Sequence, residues 1–101
     1  EKICQTFLLI ILTCIGFDVI LERHNALGRS DLEWDTADCH WVLELKFQRK
    51  GMDAEALLDM ATQQIKDRNY GAASAKRLVR AAAVFSEEKR AFVCWQNADL
   101  Q

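Results

Sequence analysis

The sequence predicts an α/β protein of the α+β kind, with a mixed central sheet flanked by helices and the element order αβββαββ. Three observations carry that reading. Residues 41–47 (Trp-Val-Leu-Glu-Leu-Lys-Phe) place Trp41, Leu43, Leu45 and Phe47 on one side and Val42, Glu44 and Lys46 on the other, as a strand does. Residues 54–65 instead repeat apolar groups at Ala54, Leu57, Leu58, Ala61 and Ile65, the period of an amphipathic helix. Ahead of both, Ile3 to Ile15 is apolar and uncharged, which reads as a further helix. A chain of 101 residues, 50% of them hydrophobic, suits one small domain over 1–101 with a single core and little to spare.

The first helix is interrupted only by Gln5, Thr6 and Thr13 and is closed by Asp18. It is too short to span a bilayer and lacks the small-residue cleavage site of a signal peptide, so a buried helix is expected and no membrane association. Its apolar residues run nearly all the way round, so cover is expected beyond the sheet-facing side, from a missing N-terminal region or from a second copy in a homodimer. The opening Glu1, in place of methionine, fits either the C-terminal part of a longer protein or an excised domain. Gly16 ends the helix. Phe17 to Arg23 reads as a first strand, His24 to Gly28 as a turn with an exposed His24, and Ser30 to Asp35 as a second strand. With the strand at 41–47 these form an antiparallel meander.

Asp53 is the natural N-cap of the second helix, and Tyr70-Gly71 its natural end. Leu78 to Phe85 and Arg90 to Trp95 supply two last strands about a turn at Ser86 to Lys89, with Ala81, Ala82 and Ala83 small enough for a helix to lie close. No repeat, low-complexity tract or glycine-rich phosphate loop is present.

Thirteen basic residues face fifteen acidic ones, so net charge alone does not announce a nucleic-acid binder. The distribution says more. Asp31, Glu33, Asp35, Asp38 and Glu44 gather in the middle, whereas Lys66, Arg68, Lys76, Arg77, Arg80, Lys89 and Arg90 follow. Cys4, Cys14, Cys39 and Cys94 include no Cys-x-x-Cys pair, so reduced core or semi-core thiols in a cytoplasmic protein are expected rather than zinc ligands or disulfides. His40 opens its strand with no partner at ligand spacing, and neither histidine is a candidate catalyst.

The chemistry concentrates around Glu44 and Lys46, whose side chains leave one strand face about 7 Å apart, near enough to reach one phosphate. Asp31 follows Gly28-Arg29-Ser30 on the preceding strand. Two carboxylates can hold a hard cation through oxygen, the cation polarises a phosphate and acidifies water, and the lysine supports the charge that develops. The plain alternative is a solvent-facing Glu-x-Lys pair on a one-sided sheet. Gln64 borders the packed stripe of the second helix, where it is either an ordinary border residue or looks across the sheet at the acidic centre.

The order Gly28-Arg29-Ser30-Asp31, then Glu44-Leu45-Lys46, then Gln64-Ile65-Lys66 ending at Tyr70, resembles the PD-(D/E)XK nuclease superfamily. More narrowly it is similar to the nuclease domain at the C-terminal end of bacterial proteins with an AAA-ATPase-like N-terminal region. Gln5-Thr6, Gly16-Phe17 and Ser86-Glu87-Glu88-Lys89-Arg90 extend the resemblance over nearly the whole chain. It implies a restriction-endonuclease-like core and a Mg2+- or Mn2+-dependent deoxyribonuclease. Asp31 and Glu44 would bind the metal with the backbone carbonyl of Leu45, and Glu1 would be a further acidic contributor. Lys46 would be the catalytic lysine, Gln64 an accessory polar residue and Tyr70 its support. Ser30 replaces the proline of the superfamily's name, and Cys4 stands where relatives more often have an aromatic residue. With DNA as the partner, phosphate tracking would fall to Arg29, Arg49, Lys50, Lys66 and Arg68, joined by Lys76 and Arg77, with little base reading. The alternative is a catalytically silent binding or interaction module on the same fold.

Overall fold

The computed structural model describes residues 2–22, 24–25, 28–29, 31–70 and 75–98, and side chains throughout these except at 2–4, 21, 24, 25, 28 and 29. Helix α1 (Lys2–Ile15) is followed by strand β1 (Val19–Leu21), the two-residue strands β2 (His24–Asn25) and β3 (Gly28–Arg29), and β4 (Leu32–Asp35). Then come β5 (Cys39–Gln48), helix α2 (Ala54–Asp67), β6 (Arg77–Ser86) and β7 (Ala91–Asn97). The main sheet runs β1-β4-β5-β6-β7, with β5 and β6 parallel and the other neighbours antiparallel. The mixed sheet, its flanking helices and the antiparallel meander are those the sequence predicts. The addition is the β2–β3 hairpin, which occupies what reads as a plain turn.

The long strand β5 forms because period-two alternation lets it bury both faces. Val42 on one side is covered by Leu57, Leu58, Ala61 and Ile65 of α2, together with Ala82 and Val84 of β6. Each fully buried Leu or Ile there contributes roughly 1.5–3 kcal/mol. Ala82 is the close-approach alanine that lets α2 settle on the sheet. Leu45 faces the other way, into a smaller cluster with Leu32 and Ala83, against which Leu8 of α1, Val19, Trp34, Leu43 and Phe47 pack. Trp34 and Trp41 stack there with centroids 6.0 Å apart.

Helix α2 starts as predicted, Asp53 accepting a hydrogen bond from the Glu55 backbone amide at 3.2 Å. It closes at Arg68, two residues before Tyr70, which lies fully buried beneath it rather than at its tip. Helix α1 ends at Gly16, whose φ of 108° suits a residue without a Cβ.

Two expectations need correction. Helix α1 is not buried: Phe7, Ile10, Ile11 and Ile15 stand 50–64% exposed, because the single sheet face it meets engages only one side of a helix that is apolar all round. Cys14 shares that outer surface and is exposed, whereas Cys39 and Cys94 are part-buried, and all three are free thiols. The side chain of Cys4 lies outside the described residues. Among the described residues no helix is long and apolar enough to cross a membrane.

Candidate functional site

The antiparallel register of β4 on β5, Leu32 opposite Leu43 and Glu33 opposite Val42, decides what stands beside Glu44. Continued one residue back, it sets Asp31 across from Glu44 on the face that α2 covers. The carboxylate Oδ2 of Asp31 accepts a hydrogen bond from the Leu45 backbone amide at 2.8 Å. A strand residue presents its N–H and C=O to the same edge, so the Leu45 carbonyl also looks towards Asp31. The main-chain carbonyl of Asp31 is held in turn by the Glu22 amide at 2.9 Å and by Gln5 Nε2 of α1 at 3.0 Å.

Glu44 is 1% exposed, which removes the solvent-facing reading of the Glu-x-Lys pair. Gln64 reaches over from α2 and joins the cluster. Its Nε2 donates to Glu44 Oε2 at 2.8 Å and to the hydroxyl oxygen of Tyr70 at 3.1 Å, while its Oε1 accepts from Lys46 Nζ at 3.1 Å. Lysine can only donate, so the amide oxygen must face Lys46, and both amide hydrogens are then spent on Glu44 and Tyr70. One glutamine thereby fixes the distance between the acid and the base of the strand.

Burial pushes the Glu44 carboxyl up to about 9, and a hydrogen bond with the Asp31 side chain and repulsion from its charge add to the shift. The charge of Lys46 opposes it without prevailing. Near neutral pH the Glu44 carboxyl therefore holds its proton beside Asp31, in a place where a cation could take its part.

Replacing Gln64 with leucine leaves Tyr70, Glu44 and Lys46 each short of a partner. A buried polar group left unpaired costs about 1–3 kcal/mol, so Gln64→Leu is expected to lower the melting temperature by several degrees or more. Tyr70→Phe, which removes only a weaker acceptor, should cost less, and thermal unfolding followed by circular dichroism ranks the two.

The structure thus brings Asp31, Glu44, Lys46, Gln64 and Tyr70 together with the Leu45 main chain. Glu1 and the side chain of Arg29 lie outside the described residues. Among the described residues no group of three or more His, Cys, Asp and Glu side chains is placed to hold a metal ion. Among the described residues the basic side chains are not gathered in one place. Arg49 and Lys50 are exposed just beyond the Lys46 end of β5, Arg49 lying 3.6 Å from Glu87. Lys66 and Arg68 are exposed at the C-terminal end of α2. Arg77 pairs with Cys39 and Lys76 donates to the Thr36 carbonyl, at the opposite end of the sheet. Seven strand residues, about 23 Å, separate that end from Lys46, so these two do not border the carboxylates.

Sequence reasoning missed the environment of His40. It is buried, and its Nε2 and Nδ1 each meet a carboxylate oxygen at 2.6 Å, from Glu33 and Asp35 of β4. Both partners come from the adjacent strand, so spacing along the chain could not reveal them. The only signal was alternation, which puts Glu33, Asp35 and His40 on one face once the register is known.

A sequence model of the PD-(D/E)XK nuclease superfamily matches residues 1–95 of the chain. No curated protein matches it.

Proposed function

The chain belongs to the PD-(D/E)XK nuclease superfamily, and from that membership we propose that it is a Mg2+- or Mn2+-dependent nuclease hydrolysing DNA phosphodiester bonds at the Asp31, Glu44 and Lys46 cluster. The five-stranded mixed sheet between two helices is consistent with the restriction-endonuclease-like core of that superfamily. The observation that carries the proposal is the convergence of two carboxylates, one ammonium and one amide on a single buried strand face.

The residues fit a hard divalent cation. Both carboxylates are oxygen donors, the Leu45 carbonyl looks towards Asp31, and a proton now neutralises part of a crowded negative site. A bound Mg2+ or Mn2+ would supply Lewis-acid polarisation of the phosphate and a more acidic water. The protein's own part is positional. Asp31 is anchored by its main-chain carbonyl to α1 and to the residue after β1, and its carboxylate is held to β5 by the Leu45 amide. Gln64 holds the Lys46 ammonium beside Glu44, where it can orient an attacking water and stabilise charge developing on phosphoryl oxygens. Arg49, Lys50, Lys66 and Arg68 are exposed at both sides of this centre and would engage flanking phosphates, giving salt-sensitive affinity.

The exposed outer side of α1 supports a cover for that surface, either a second copy or a preceding region of the kind carried by AAA-ATPase-like bacterial proteins. The three free thiols support a reducing, cytoplasmic setting.

The deciding experiment incubates the purified chain with single- and double-stranded DNA in Mn2+, in Mg2+ and in excess chelator. Cleavage that needs the cation is expected, with calorimetric heat on Mn2+ titration. A folded chain that neither binds Mn2+ nor cuts DNA would be a silent binding module instead.

A further inference from the structure

Helix α1 meets the sheet with one side. Gln5, Leu8 and Leu12 recur at three and seven residues, which sets them on one face of the helix. All three are part-buried, whereas Phe7, Ile10, Ile11 and Ile15 on its other sides are exposed. Leu8 packs against the Leu32, Leu45 and Ala83 cluster. A leucine at position 5 would extend that packing. The chain instead places an amide there, and its Nε2 donates to the main-chain carbonyl of Asp31 at 3.0 Å. A carbonyl can only accept, so the amide nitrogen is the atom that faces it.

Asp31 is a residue in need of such an anchor. It stands one residue before β4, outside the register pairs that tie β4 to β5. Its carboxylate takes the place of a ladder partner for the Leu45 amide, at 2.8 Å. Its carbonyl accepts from the Glu22 amide at 2.9 Å as well as from Gln5, which engages both lone pairs of that oxygen. The carbonyl is thereby taken up by the protein rather than left to a cation. Pinning the peptide group of Asp31 from two elements fixes the direction in which its side chain leaves the main chain, towards the Leu45 amide and Glu44.

We propose that Gln5 is a positioning residue of the metal site: by holding the Asp31 carbonyl to α1 it fixes the aim of the Asp31 carboxylate, and so sets how tightly a divalent cation is held between Asp31 and Glu44. The effect on the cation rests on the nuclease reading, whereas the hold on Asp31 stands apart from it. A hydrogen bond that merely docks α1 would do neither. Leu8 separates the two roles, because it docks the same face of α1 through apolar contacts.

The test compares the parent chain with Gln5→Met, close in shape to glutamine but unable to donate, and with Leu8→Ala. Amide hydrogen exchange of the metal-free chains is followed by NMR, and Mn2+ is titrated into each by calorimetry. Gln5→Met is expected to lose protection selectively at the Leu45 amide, whose acceptor is the Asp31 carboxylate, while amides in the ladder between β5 and β6 keep theirs. Its Mn2+ affinity should fall about tenfold, the lower end of the loss when a group that orients a metal ligand is removed. At a Mn2+ concentration below saturation, kcat should fall in step while KM for DNA stays unchanged. Leu8→Ala should lower the melting temperature and leave Leu45 protection and Mn2+ affinity at the parent's values. Should Gln5→Met fail to fold, Gln5→Asn, whose amide is one methylene short of Asp31, carries the same measurements. Leu45 protection unchanged in the Gln5 variant, or lost to the same degree in Leu8→Ala, overturns the positioning role. So does a parent-like Mn2+ affinity in the variant where the parent binds the ion. A parent that neither binds Mn2+ nor cuts DNA, beside a Gln5 variant that loses protection selectively at Leu45, keeps the hold on Asp31 and overturns the nuclease reading.

Discussion

Replacing Lys46 with alanine is expected to lower hydrolysis by a factor of about 10²–10⁴, the span over which a positioned proton-transfer group contributes, while the chain stays folded and still binds Mn2+. The fold tolerates the change because Lys46 is only part-buried and, among the described residues, its ammonium donates to Gln64, whose amide hydrogens keep their partners Glu44 and Tyr70. Binding of the cation survives because the oxygen donors, Asp31 and Glu44, are untouched. Loss of the Lys46 charge also removes a competing cation some residues' breadth from the carboxylates, so Mn2+ affinity should hold or rise. Single-turnover cleavage and calorimetric titration, run on the same preparation, separate the two effects. Equal cleavage by parent and variant would take the chemistry away from this strand. Joint loss of cleavage and cation binding would make Lys46 a structural prop for Glu44 rather than a partner in the reaction.

What the sequence could show about this site follows from which interactions are local. Strand β5 was legible because alternation over residues 41–47 needs no partner, and the same holds for the stripe that places Gln64 at the edge of α2. That Gln64 spans Glu44, Lys46 and Tyr70 was legible only as an inclination, since it depends on how far α2 is shifted along the sheet. The link from Asp31 to the Leu45 amide, and the clamp of Glu33 and Asp35 on His40, depend on the register of β4 against β5. No property of either strand alone sets that register. The β2–β3 hairpin escaped because two-residue strands carry no period. Helix α1 shows the opposite failure: an apolar surface all round is a statement about preference for burial, and one sheet face cannot satisfy it. The basic residues were read by count along the chain, but the parallel pairing of β5 with β6 sends Lys76 and Arg77 to the far end.

Glu44→Gln is expected to stabilise the metal-free chain at neutral and alkaline pH while abolishing its response to divalent cations. The folded carboxyl sits near 9 against an ordinary 4.5. Between those values the folded chain keeps a proton that the unfolded chain has released, so stability falls as pH rises across that window, by up to about 1.4 kcal/mol per pH unit from this one group. This is the reverse of a salt-bridged carboxylate, whose contribution is lost on acidification. Glutamine has the shape to keep the contacts: its carbonyl oxygen can accept from Gln64, and its amide can donate to Asp31 where the protonated Glu44 carboxyl now does. The parent's melting temperature should therefore fall relative to the variant's by roughly 5 °C or more for each pH unit between 5 and 9. Mn2+ replaces the proton only in the parent, raising its melting temperature most at high pH, where fewer protons compete. Parallel pH profiles for the two chains would remove Glu44 as the buried titrating group. An equal rise with Mn2+ in both would put the cation elsewhere, and the Asp31–Glu44 pair would then be a structural hydrogen bond at the heart of the sheet.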